Sequence, residues 1–436
     1  MFSSYLFKHI DNSALIVFRV IFGLLCFLES VGAIFTGWIT RTMVDPKFTF
    51  TFIGFEWLQP LPDNWMYVYY AFMGVFGLLI MMGYKYRISM IAFTIMWSCT
   101  YFMQKASYNN HYYLLILLSA IMVFQPANKY ASVDAKLNPN IESNSMPNWC
   151  RLVFVFQLLI LYTYASIAKM YPDWIDLTVP RLLMAGKINY PIIGTFLQND
   201  FIPYLIAYGG ILFDGLIIPL LLYKRTRKYA FFASIFFHLF NAIVFQVGVF
   251  PFLSLAFSLF FFDPRTIKNI FLKKKDFHDT AEVTTPSYKT PLLLVLSIYF
   301  IVQIALPLRH HIFEDDVLFT EEGHRLSWRM MLRSKQGVAS YKIVDKKTKE
   351  TQNINLDHYL SAKQKRMVST KPDVIWQFAQ HLKQDFKEKG QDISVFVDCQ
   401  ISVNGRPFQK LVDPNVDLAD VKWSHFKHSN WLLPSK

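Results

Sequence analysis

The run from Leu152 to Ala168 carries no charged residue and ends on Lys169, which is followed by Met170, Tyr171, Pro172, Asp173 and Trp174. An amine at the mouth of a membrane helix is partly desolvated, and desolvation disfavours a charged amine. Such a group can take a proton from a weak acid such as a quinol. The competing role is a snorkelling anchor, with Tyr171 and Trp174 as aromatic-belt neighbours.

A second polar cluster, Tyr108-Asn109-Asn110-His111-Tyr112-Tyr113, precedes another apolar run. Its two amides and imidazole offer donors and acceptors to a quinone or an oxyanion. A helix N-cap by Asn109 or Asn110 is the alternative. Ionisable groups inside apolar runs are costly and default to functional hypotheses. Asp214 lies ten residues before Lys224 and His238 ten residues after Lys228, so consecutive antiparallel helices place them at equal depth. They can form a carboxylate–imidazole pair with Asn241 one turn further out, or join two helices by a hydrogen bond. Arg19 is expected to snorkel at the inner end of the first run. His310-His311 reads as interfacial rather than metal-binding. Cys26, Cys99, Cys150 and Cys399 form no CxxC pair, and no HExxH motif or glycine-rich phosphate loop occurs, so no metal site or disulfide framework is expected.

The elements that must position these residues are membrane helices. Hydrophobic residues make up 53% of the 436, only 17% are charged, and there are 42 Phe and 23 Tyr. That balance identifies a polytopic membrane protein. Nine runs read as spans: 14–36, 66–84, 88–104, 112–125, 151–168, 202–223, 230–247, 250–262 and 290–306. The first is too long for a signal core and is expected to remain as a span. The net charge of +13 does not indicate nucleic acid, because the basic residues crowd short loops. With the N-terminus inside, 16 Lys and Arg fall on inner loops and six on outer ones, as the positive-inside rule requires. Lys169, His111 and everything after residue 306 are then extracytoplasmic.

Composition changes after Pro307. Ile393, Val395, Val397, Cys399, Ile401 and Val403 alternate on one strand face. Asn404-Gly405 signals a two-residue hairpin with Phe408 to Val412 returning. Tyr341 to Val344 reads as another strand, and Val374, Phe378, Leu382 and Phe386 mark an amphipathic helix. The expected architecture is a helical membrane domain, residues 1–306, and a β-rich extracytoplasmic domain, residues 307–436.

In order along the chain, several motifs resemble the vitamin K-dependent γ-carboxylase family, here with an HTTM-type membrane domain. They are Val17-Phe18-Arg19, Pro60-Leu61-Pro62 with Trp65-Met66-Tyr67, Tyr86-Arg87-Ile88-Ser89, Asn109-Asn110-His111 and Ser132-Val133-Asp134. Lys169 with Asp173-Trp174, Asp214, and Phe237-His238 with Asn241 follow. The outer segment adds Ser327-Trp328, Ser402-Val403-Asn404, and Asp413-Pro414 with Val416-Asp417. The resemblance implies a membrane enzyme that couples quinol epoxidation by O2 to CO2 addition at protein glutamate. Its cofactor would be reduced vitamin K, as phylloquinol or menaquinol, and its partners a glutamate-containing peptide and membrane lipid.

Carried over by residue, Lys169 is the catalytic base and His111 an essential histidine, with Asn109 and Asn110 beside it as substrate-binding residues. His310 matches a histidine tied to carboxylation, and Phe319 falls in the glutamate-binding stretch, where animal members have tryptophan. That stretch, Glu314 to His324, departs from the family pattern and is acidic. The chain is also shorter than animal members, so part of the propeptide-docking region is expected to be absent. A bacterial inner membrane is the expected location, or the endoplasmic reticulum for a eukaryotic owner. Two other readings stand beside this one: an epoxidase without protein carboxylation, and a non-catalytic quinone-binding protein.

Overall fold

The computed structural model describes residues 2–280 and 282–435. Every expected apolar run is helical: α1 (Ser13–Phe35), α2 (Trp65–Met82), α3 (Tyr86–Met103), α4 (Asn110–Val123), α5 (Trp149–Ala168), α6 (Phe201–Leu222), α7 (Arg227–Phe240), α8 (Phe250–Ala256) and α9 (Lys289–Leu308). Among the described residues, six helical stretches are long and apolar enough to cross a membrane: α1, α2, α5, α6, α7 with its extension to Phe245, and α9 with its extension to Ile312. The helices Asn110–Val123 and Phe250–Phe260 are apolar but shorter. α9 is the most peripheral and exposes Leu294, Val295, Ile298, Ile301 and Ile304. An apolar stripe of this kind is stable against lipid and costly in water.

α1 and α2 form the tightest helix pair because glycines face each other across it. A side-chain carbon on Gly23 would stand 2.3 Å from the Met81 nitrogen, and one on Gly77 would stand 2.6 Å from the Phe27 nitrogen. Without those carbons the backbones approach closely, as small residues allow between membrane helices. Arg19 does not snorkel. It is fully buried and donates to the carbonyls of Ala127, Tyr130 and Ala131 at 2.7–3.2 Å. The irregular 124–132 segment leaves these carbonyls free of helix partners, and together they offset the cost of burying the guanidinium. At the same end, Asp11 receives a bond from Lys275 at 2.6 Å beside a short ribbon of His9–Asp11 against Ser145–Pro147.

The C-terminal region holds a four-stranded antiparallel sheet: β1 (Lys335–Asp345), β2 (Thr351–Asn353), β3 (Ile393–Val403) and β4 (Gln409–Lys410), in the order β2-β1-β3-β4. β1 and β3 pair along their full length, from Lys335 opposite Val403 to Asp345 opposite Ile393. α10 (Pro372–Glu388) lays Val374, Phe378, Leu382 and Phe386 on the face built by Val395, Val397, Cys399 and Ile401. β1 begins six residues before the expected strand at Tyr341, since its first half is held by pairing with β3 rather than by burial of its side chains. The Asn404-Gly405 turn forms, with φ of 55° and 79° and the Arg406 N–H donating to the Val403 carbonyl at 3.1 Å. The returning strand, however, resumes only at Gln409. The Asn404 side chain is diverted to other partners, described below.

Candidate functional site

Lys169 caps the C-terminal end of α5 and folds back into the bundle. Its side chain is 10% exposed, and Nζ donates to the Ala165 carbonyl at 3.2 Å and to Oδ2 of Asp214 at 2.5 Å. The stem passes over Gly210, one turn before Asp214 on α6, where a side-chain carbon would stand 3.8 Å from the lysine Cδ and Cε. From sequence alone Lys169 stands as a lone amine, and Asp214 is expected opposite His238. The structure gives each a different partner. Asp214 joins Lys169, while His238 Nε2 lies 3.1 Å from the Tyr162 hydroxyl. The expected Asp214–His238 pair is not made, because α5 supplies Tyr162 to one and its C-cap supplies Lys169 to the other.

An aromatic belt links this pair to His111. Tyr162 lies seven residues before Lys169 on α5. The His238 ring stands 6.2 Å from that of Phe250, which stacks on the His111 ring at 4.5 Å and 24°. Phe213 and Phe237 stack beside it at 3.8 Å. The Nδ1 atoms of His111 and His238 are both buried without a hydrogen-bond partner among the described residues. Buried polar atoms are normally paired, so an orphan imidazole nitrogen on an aromatic belt is an opening for a ligand's hydroxyl or carbonyl. Asn241 is half-buried one turn beyond His238.

At the head of α4 the capping alternative holds for Asn109, whose Oδ1 accepts the Tyr112 N–H at 2.8 Å. Asn110 reaches outward instead. Its Oδ1 receives the Tyr108 hydroxyl at 2.9 Å and its Nδ2 donates to the Arg329 carbonyl at 3.3 Å. Asn109, Asn110 and His111 thus line one end of a cavity of about 280 Å3 that Arg325, Arg329, Arg333 and Lys371 also line. His310 supports this cavity from behind. Its Nδ1 bonds the Pro307 carbonyl at 2.8 Å and its Nε2 lies 3.3 Å from Arg329 Nη1. Gly323 permits the approach with φ of +73°, since a side-chain carbon there would stand 2.5 Å from the His310 Cα. Phe319 does not join them. It is 5% exposed and packs in the outer core with Val317 and Leu318.

One carboxylate of the acidic stretch is ringed by cations from outside it. Glu321 receives Arg333 at 2.5 Å, Lys371 at 2.7 Å and Lys335 at 3.4 Å. Burial opposes its charge, yet the attraction of these cations holds its carboxyl well below the usual range. One carboxylate cannot balance three cations in a dry site. Burial, with crowding by Arg333, lowers Lys335 to about 8, and the same causes push Lys371 down. The cations that line the cavity suit an anionic ligand such as a carboxylate.

The loop after Lys169 is tied to the C-terminal region. Asp173 accepts Asn404 Nδ2 at 2.7 Å and pairs with Arg406, while the Tyr171 hydroxyl donates to the Leu332 carbonyl. That contact uses the Asn404 side chain while its backbone makes the turn.

Several participants escaped the sequence reading. Glu29, inside α1, accepts the Tyr112 hydroxyl at 2.8 Å; as an ionisable residue within an apolar run, it carried the same signal as Asp214. Arg325, Arg329 and Arg333 recur every four residues, but in irregular chain, so their spacing pointed to a helix face that does not exist. Tyr162 carried no signal at all. The His310 and His311 rings lie 3.9 Å apart, tilted by 37°, and among the described residues no cluster of three or more metal-ligating side chains forms.

A family model of the HTTM domain matches residues 7–265, and a model of the vitamin K-dependent gamma-carboxylase lumenal domain matches residues 288–436. No solved structure gives a significant match.

Proposed function

The chain belongs to the vitamin K-dependent γ-carboxylase family, and from that premise we propose that it is an integral-membrane, quinol-dependent γ-glutamyl carboxylase. In this reading residues 1–306 form a nine-span domain with a cytoplasmic N-terminus. Residues 307–436 form an extracytoplasmic domain, and the membrane is a bacterial inner membrane. One observation carries the function: the cavity of about 280 Å3 where His111 and Asn110, at the mouth of a membrane helix, meet the surplus cations of the outer domain. A lipid-soluble reductant and a water-soluble glutamyl peptide need such a junction.

The residues present fit a quinol. The orphan Nδ1 atoms of His111 and His238 lie on a belt of stacked rings that suits a planar aromatic ligand with polar groups. Menaquinol or phylloquinol, when bound, supplies with O2 the base that removes a glutamate γ-proton, and CO2 then adds at that carbon while the epoxide and water leave. Lys169 is the proton acceptor that starts the sequence, with Asp214 as its hydrogen-bond partner. Oδ2 of Asp214 receives the Nζ–H at 2.5 Å and so fixes the amine at the end of α5. His111, backed by Phe250, orients the ring system. Arg329, held by His310 and Asn110, binds the glutamate carboxylate and, with its neighbours, neutralises the second carboxylate as it forms. Phe319 acts from the core by shaping the 317–326 segment.

Purified protein in lipid, given reduced vitamin K, O2, bicarbonate and a glutamyl peptide, should yield epoxide and γ-carboxyglutamate. Lys169→Ala should abolish both in a folded protein. Neither product from the parent protein would refute the reading. Epoxide without incorporated labelled CO2 would replace it with an epoxidase that lacks protein carboxylation. Unchanged quinone binding in His111→Ala and Lys169→Ala, with no turnover in either parent or variant, would favour a non-catalytic binder.

A further inference from the structure

A second cavity, of about 310 Å3, lies between the outer domain and the outer loops of the helical bundle. Its walls are aromatic, drawn from Phe52, Phe55, Phe102, Phe313 and Trp423. The Phe55 and Phe102 rings are parallel at 4.5 Å and 3°, which makes one wall flat. Glu321 and Arg325 line both this cavity and the one at His111, so they stand as a partition between the two.

The charges around the second cavity are unevenly matched. Glu321 holds three cations, as described. Asp373 takes Lys105 at 3.0 Å and Arg325 at 3.1 Å. Glu322 accepts the Ser429 N–H at 2.9 Å and meets His428 Nδ1 at 2.7 Å. Every carboxylate in the wall is thus taken. Arg309 is the exception among the cations. It has no carboxylate within ion-pair distance among the described residues; one Nη2 donates to the Arg325 carbonyl at 3.3 Å, and its Nε is buried without an acceptor. Trp423 Nε1 is also buried without an acceptor. Two orphan N–H donors on one aromatic cavity are unusual, because buried donors are otherwise almost always paired.

We propose that this cavity is a binding site for a carboxylate carried on an aromatic or similarly bulky apolar body. The carboxylate is received by Arg309 and Trp423, and the body lies among the phenylalanine rings. A guanidinium favours a carboxylate over a neutral acceptor through charge-assisted hydrogen bonds. The volume is at the lower end for a small-ligand site, roughly 300–1,000 Å3, and admits one ring with a short acid chain. Such a ligand is a free aromatic acid or an aromatic–acidic pair of side chains on a polypeptide. The site is separate from the proposed glutamate cavity and does not depend on the carboxylase reading.

The test uses the full chain in lipid nanodiscs, with 3-(4-fluorophenyl)propionate followed by 19F NMR. Saturable binding is expected, and Arg309→Met should weaken it about ten- to a hundredfold, the scale of losing a hydrogen bond to a charged group. Arg309→Lys should retain most of the affinity, and the neutral alcohol of the same shape should bind about tenfold or more weakly. Displacement of the probe by an acetyl-Phe-Asp amide assigns the ligand to a polypeptide; failure of that peptide to displace it assigns a free acid. Equal binding by acid and alcohol, equal binding by parent and Arg309→Met, or no saturable signal would each overturn the proposal. Because the alcohol comparison uses the unaltered protein, it decides the matter even if the variants fold poorly.

Discussion

Removing either half of the Lys169–Asp214 pair should cost far more than removing both. The side chains are only 10% and 5% exposed, and the contact is 2.5 Å. Lys169→Met alone strands a carboxylate inside the bundle, and Asp214→Leu alone strands an amine. Breaking a buried pair in this way costs roughly 3–5 kcal/mol, whereas replacing both partners with apolar groups is often close to neutral. The double variant should therefore be more stable than the sum of the singles by about 3 kcal/mol or more. Reversible denaturant unfolding of the four proteins in one detergent supplies the cycle, with epoxide formation assayed beside it. All three variants should lack epoxide, including the stable double variant, which separates loss of chemistry from loss of fold. A coupling below about 1 kcal/mol, the range of exposed pairs, would refute the claim that this pair is buried and mutually dependent.

Other consequences can be checked in parallel. Glu321 is ionised in the folded chain well below its unfolded value near 4.5, so its contribution is present above that pH and is lost as pH falls through the lower, folded value. Glu321→Gln should therefore destabilise the protein by a few kcal/mol at pH 7 (about 3, by the cost of breaking a buried pair), and the gap to the parent should shrink on acid titration below about 4.5. Asp173→Ala removes the acceptor for Asn404 and Arg406. It should cost about 1.5–3 kcal/mol and speed hydrogen exchange in both the 169–177 loop and the 403–406 turn. Glu29→Leu leaves the Tyr112 hydroxyl unpaired. It should raise the KM for quinol severalfold with a smaller change in kcat, and Glu29→Gln should restore most of it. Gly77→Leu places a side chain against the α1 backbone at 2.6 Å and should abolish accumulation of folded protein, measured by fluorescence-detected size exclusion.

The helices and the outer sheet were legible locally because each has its own period or length. Long apolar runs satisfy their backbone groups as helices, and six such stretches among the described residues are long and apolar enough to cross a membrane. The alternation from Ile393 to Val403 and the four-residue spacing from Val374 to Phe386 fix which face is buried. Lys169 and His111 draw notice in the sequence as ionisable groups at the ends of apolar runs. What those groups touch is a different matter. Asp214 and His238 sit where helix counting places them, yet each partner comes from α5, and no periodicity encodes which of three neighbouring helices turns its polar side chain toward which. Arg19 found three carbonyls that exist only because the 124–132 segment is irregular. Asn404 carries a turn signal that was read correctly, but its side chain is used across 231 residues by Asp173. The cations around Glu321 come from separate places: Lys371 from the cap before α10, Lys335 from a strand and Arg333 from a loop. Local chemistry and the demand that backbone groups be satisfied determine the elements. The pairing of buried charges is decided only when separate elements exclude water from the same space.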